Sequence, residues 1–159
     1  MNALSRYHLK KLSIDPIYIK RAEIDLGVLG QNFQACLQKI NTSSPAARIL
    51  AVVKADAYGH GTEPCVRALL GAGCDFFAVS CIEEALAVRS VCRDEKKDAD
   101  ILILGYTTPK YVRELAENNL MQTLLSPSYA KELAEEVKSE KLPPLAVHVA
   151  VDTGMGRIG

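Results

Sequence analysis

Tryptophan is absent from the 159 residues, aromatic side chains make up only 6%, and neither sign of charge predominates. Lysine plus arginine and aspartate plus glutamate number 19 each, so no basic field exists to attract phosphate backbones or anionic lipid. Neither nucleic acid nor a membrane surface is expected as a partner. No apolar run approaches the ~18 residues of a membrane helix, and the N-terminal MNALSRYHLKKLSIDP lacks the apolar core of a signal peptide. The chain is expected to stay in the cytoplasm.

Cysteines are present but lack the spacing that gives them chemistry. Cys36, Cys65, Cys74, Cys81 and Cys92 form no C-x-x-C pair and have no histidines at zinc-ligand spacing. No metal site is expected, and the five read as free thiols that pack as small apolar residues in a reducing compartment.

What remains is a chain that is 48% hydrophobic and 24% charged, suited to one apolar core. After a polar lead over residues 1–16, a short strand is expected around Ala22 to Asp25. A helix follows, with Leu29, Phe33, Cys36, Leu37 and Ile40 on one stripe. A pattern then repeats. RILAVVK reads as a strand and TEPCVRALLGAG as a helix with Thr62 as its cap; DFFAVS, ILILGY, MQTLLS and LAVHVAV read as further strands. Between them lie helices over CIEEALAVRSVC, with acidic residues complementing the dipole in its first turn, over TTPKYVRELAENN, and over SPSYAKELAEEVKSE.

Strands this apolar, alternating with helices, argue an α/β fold with a parallel sheet covered by helices. Two architectures meet that description, an open doubly wound sheet and a closed (β/α)8 barrel. A barrel needs about 250 residues, so this chain would supply roughly half of one.

The most informative stretch is ILAVVKADAYGHG, where an apolar strand ends on Lys54. Alternation puts Leu50, Val52 and Lys54 on one strand face and Ala51 and Val53 on the other. The C-terminal edge of a parallel sheet is where ligands bind in either architecture. A lysine partly desolvated there becomes a usable amine nucleophile or base, the chemistry of a Schiff base with an aldehyde. Tyr58 offers a hydroxyl four residues on, and Gly59 and Gly61 permit close backbone approach. His60 is expected to make a local backbone hydrogen bond. By the same alternation His148 points toward a barrel interior, as a satisfied core histidine, while Val147, Val149 and Val151 meet helices.

These residues resemble the alanine racemases, pyridoxal-phosphate enzymes of fold type III. AVVKADAYGHG is similar to the family's cofactor-lysine motif and VDTGMGRIG to its second signature, about a hundred residues later. The resemblance covers the chain from Ile17 and implies the N-terminal part of a TIM-like (β/α)8 barrel over 17–159, incomplete. It implies pyridoxal 5'-phosphate as cofactor, racemisation of L- and D-alanine, and D-alanine supply for peptidoglycan. Lys54 is implied to carry the cofactor and to act as the base on the D face. Tyr58 is implied to bond the cofactor phosphate, and Arg157 to serve the phenolic oxygen and the substrate carboxylate.

Two departures from the family are visible. Ala150 stands two positions before Asp152, where many members carry a lysine that orients the arginine. Members also continue well beyond this length, through the rest of the barrel and a β-rich domain that builds a homodimer. That later part supplies the L-face tyrosine. The chain is therefore expected to be an N-terminal part or half of a split protein, inactive alone. Its expected partners are a small amino acid and either a complementing C-terminal half or the family homodimer. The alternatives are a noncatalytic half barrel that at most binds the cofactor or a partner chain, and a racemase of another small amino acid such as serine.

Overall fold

The computed structural model describes residues 22–159, so the polar lead 1–16 lies outside it. The apolar runs form five parallel strands: β1 (Ala51–Val52), β2 (Phe76–Val79), β3 (Asp100–Ile103), β4 (Met121–Leu124) and β5 (Val147–Val149). The helices are α1 (Leu26–Ser43), α2 (Lys54–Gly59), α3 (Thr62–Gly71), α4 (Ile82–Asp94), α5 (Val112–Glu117) and α6 (Pro127–Ser139). A 3-10 turn over Pro109–Tyr111 leads into α5, so the expected TTPKYVRELAENN helix is α only from Val112.

Strand order decides between the two architectures. The sheet runs β1-β2-β3-β4-β5, each strand paired parallel with its successor. A doubly wound sheet reverses direction at a switch point and covers both faces with helices. Monotonic order keeps every right-handed crossover on one side and leaves the other face to line an interior. This is the partial TIM-like barrel that the sequence implies.

Burial follows that geometry. Val53, Phe77, Val79, Ile101 and Ile103 point to the helices and are packed into the main core. The opposite face carries Val52, Ala78, Leu102, Thr123 and His148, joined by their register across the strands. Its curvature is shown by two rings. Phe76 of β2 and His148 of β5 meet edge to face with centroids 6.0 Å apart, whereas in a flat sheet those strands would lie about 14 Å apart. The expected interior direction of His148 holds, but the residue is exposed. Val147, Val149 and Val151 are exposed too, at 40%, 70% and 72%, since no helix among the described residues follows β5 to cover them.

One buried cation ties the layers together. Arg89 of α4, 6% exposed, donates to the carbonyls of Asn118, Ala99 and Asn119, each at 2.9 Å. These carbonyls lie just before β3 and at the C-terminal end of α5, where the dipole favours a cation. At the same end of the sheet, Arg48 bonds Asp100 at 2.6 Å and lies 4.8 Å over the Phe76 ring.

Two local expectations are corrected. Ala22–Asp25 form no strand; Asp25 instead caps α1, its Oδ1 accepting from Val28 N at 3.0 Å. Thr62 does not cap α3 but is its first residue. The capping acceptor comes from outside the helix, Asp56 Oδ1, which takes the Thr62 N–H at 2.7 Å. Ser126, by contrast, caps α6 through its own Oγ.

All five cysteines are free. Cys65, Cys74 and Cys92 are buried as small apolar residues, whereas Cys36 lies exposed on the outer side of α1. Burial pushes the thiols of Cys65, Cys74 and Cys92 above their ordinary range. The folded state then holds protons that the unfolded state releases. Stability is full below the ordinary thiol range and falls as pH rises through it. We expect the urea midpoint to drop over that interval, and Cys92→Ala to reduce the drop.

Candidate functional site

β1 ends at the C-terminal edge of the sheet, and the chain leaves it in an unusual way. Ala55, Asp56, Ala57 and Tyr58 all have φ between 51° and 56° and ψ between 37° and 54°. These are four consecutive left-handed residues, none of them glycine. Each costs roughly 1–2 kcal/mol because Cβ crowds the following carbonyl. Strain of this kind persists only where surrounding bonds over-determine it, and it clusters at functional sites.

The bonds that hold the turn are specific. Ala57 N donates to Val53 O, His60 N to Ala57 O and Gly61 N to Asp56 O. His60 Nδ1 lies 2.8 Å from Ala57 O and 3.2 Å from Tyr58 O. A carbonyl can only accept, so Nδ1 carries the proton, and the expected local role of His60 holds. Asp56 pins the far end through Thr62 N. From the neighbouring unit Glu84 takes the Ala55 N–H at 2.7 Å and the Ser80 N–H at 2.8 Å. The sequence marks Glu84 only as a first-turn acid of α4, which gives no sign of its bond to Ala55.

Ala55 is exposed, and its strain can be tested without disturbing the core. Ala55→Gly removes the Cβ penalty at the cost of backbone entropy, a net stabilisation of about 0.5–1 kcal/mol. Urea denaturation should show it; destabilisation would mean the turn is not left-handed in solution.

The turn brings Lys54 and Tyr58 together. Lys54 follows the buried Val53 at the C-terminal end of β1 and is itself half-buried. Its Nζ lies 5.9 Å from the centroid of the Tyr58 ring, which is 59% exposed. A Cβ at Gly59 would meet nothing within 4 Å, so space remains beside the pair.

The second motif follows β5 as a loop. Asp152 Oδ1 accepts from Gly154 N at 2.8 Å and Gly156 N at 3.1 Å, which holds its carboxyl below the usual range. The loop doubles back until Gly159 reaches the backbone of Val151 and Asp152. Arg157 is exposed, and among the described residues it bonds neither Lys54 nor Tyr58. No group of three or more metal-ligating side chains occurs among the described residues, and no helix there is long and apolar enough to cross a membrane.

The family model for the alanine racemase N-terminal domain matches residues 24–159, both motifs included. The chain belongs to that family. Alanine racemase 1 of Caldanaerobacter subterraneus subsp. tengcongensis is 36% identical over 149 residues, 93% of this chain and 36% of that protein. A serine/alanine racemase of Enterococcus gallinarum is 39% identical over 89% of this chain and 19% of its own length. In three dimensions, alanine racemase from Streptomyces coelicolor A3(2) superposes with a TM-score of 0.73 at 35% identity, covering 87% of this chain and 35% of that one. The chain thus spans about a third of the length of the alanine racemases it matches.

Proposed function

We propose that this chain is the cofactor-lysine portion of a pyridoxal 5'-phosphate-dependent racemase, an isomerase that interconverts L- and D-alanine. The observation that carries the reading is Lys54 at the C-terminal end of β1, followed by a strained turn that sets Tyr58 beside it. The donor set suits the cofactor: an amine for its aldehyde, a phenol hydroxyl for its phosphate and a guanidinium for an anionic oxygen. Bound there, the cofactor would supply an electron sink that lowers the barrier to losing the α-proton.

This chain's own residues supply the rest. Lys54 Nζ anchors the cofactor and, once displaced by substrate, moves the proton on the D face; a positioned base adds about 10²–10⁴-fold. Tyr58 donates its hydroxyl to the phosphate. Arg157 takes the substrate carboxylate, which requires the loop from Asp152 to Gly159 to turn toward Lys54. With Ala150 lacking a side-chain donor, the Asp152 turn is what shapes the approach of Arg157. The reaction would provide D-alanine for peptidoglycan in the cytoplasm. Its partners would be a small amino acid and either a complementing C-terminal half or a second subunit. The Enterococcus relative's name keeps serine as the alternative substrate.

The test combines this chain with the C-terminal part of the Caldanaerobacter relative in the presence of pyridoxal phosphate. D-alanine should form from L-alanine, and the chain alone should give none. Absence of racemisation with both parts folded would overturn the reading. It would favour instead a noncatalytic half barrel.

A further inference from the structure

Glu84 is the third residue of α4, and two ordinary roles account for a glutamate there. It complements the dipole, and it can turn back to accept from an amide just before the helix. One carboxylate oxygen does this, Oε2 accepting from Ser80 N at 2.8 Å. The other oxygen leaves its own strand-helix unit. Oε1 accepts at 2.7 Å from Ala55 N, a residue 29 positions away and the first after Lys54. Ala55 is also where the left-handed turn begins.

We propose that Glu84 is a positioning residue for Lys54, clamping the ends of β1 and β2 so that the lysine leaves its strand in one direction. The peptide joining Lys54 to Ala55 is planar, so fixing its N–H fixes the ψ of Lys54 and the φ of Ala55 together. A carboxylate acceptor makes this bond stronger and shorter than a neutral one. Helix capping alone leaves the Ala55 contact without a purpose, because α4 gains nothing from an amide on β1. The inference rests on Lys54 being the residue that holds the cofactor.

The two roles make different predictions for Glu84→Gln, whose carboxamide has one acceptor oxygen and can keep only one of the two bonds. Three quantities are measured on the full chain of wild type and variant. They are amide hydrogen exchange at Ala55, the rate at which acetic anhydride labels Lys54, and the pyridoxal phosphate concentration that half-saturates the Lys54-dependent absorbance. Far-UV circular dichroism should be unchanged. Exchange at Ala55 should accelerate about tenfold, the labelling rate of Lys54 should change, and half-saturation should rise about tenfold, the effect of one charge-assisted hydrogen bond.

A folded Glu84→Gln chain that labels and binds as wild type does would overturn the proposal and leave Glu84 a helix cap. Exchange at Ala55 as fast in wild type as in the variant would overturn it equally. Should wild type give no Lys54-dependent band, the cofactor reading fails by itself, and exchange and labelling still decide the role of Glu84.

Discussion

Lys54→Ala is expected to eliminate covalent attachment of pyridoxal phosphate and, with the complementing part present, to lower racemisation by at least about 10²–10⁴-fold. The loss is chemical rather than structural. Lys54 is half-buried, and the contact its amine makes is with the exposed ring of Tyr58, so truncation should change stability little. Lys54→Arg separates charge from nucleophilicity. A guanidinium keeps the cation over the ring yet stays protonated, so it cannot bond the aldehyde or accept the α-proton. Both variants should fold with the wild-type melting temperature and both should lack the adduct. Retention of activity by Lys54→Arg would mean that the lysine serves as a charge alone.

The second large effect is on the scaffold. Arg89→Ala should destabilise the chain by at least about 3 kcal/mol, because it strips three buried or half-buried carbonyls of a charged donor and leaves a cavity. For a chain of this size that corresponds to a fall of roughly 6–12 °C in melting temperature. Arg89→Lys should recover little, since a single ammonium cannot span Asn118, Ala99 and Asn119 at once. The consequence reaches the site. α4 is held past its middle by Arg89, near the starts of β3 and β4, and in its first turn by Glu84, near the ends of β1 and β2. Loosening the first anchor should also raise amide exchange at Ala55. A melting temperature within a degree of wild type would contradict this account of Arg89.

What could be read beforehand and what could not divide along physical lines. Parallel strands are apolar on both faces, so ILAVV, DFFAVS and ILILG were visible as strands without any knowledge of their neighbours. Side-chain alternation then correctly gave the interior direction of His148. The left-handed turn was invisible because Ala55, Asp56, Ala57 and Tyr58 include no glycine to announce positive φ. It is imposed by hydrogen bonds from Asp56, His60 and Glu84, the last from a different unit. The cap of α3 is hidden for the same reason, since its acceptor lies six residues upstream in that turn. Exposure of β5 depends on what lies beside it in space, which periodicity does not report.

The strained turn and the lysine before it stand together at the C-terminal end of β1, and the proposed function rests on them. The measurement that tests this most directly is reductive trapping. The chain is incubated with pyridoxal phosphate, reduced with borohydride, digested and mapped by mass spectrometry. The account predicts a pyridoxyl-phosphate group on the peptide containing Lys54, and none there in Lys54→Ala. Label spread over surface lysines such as Lys110 or Lys131, with Lys54 unmodified in a folded chain, would contradict it.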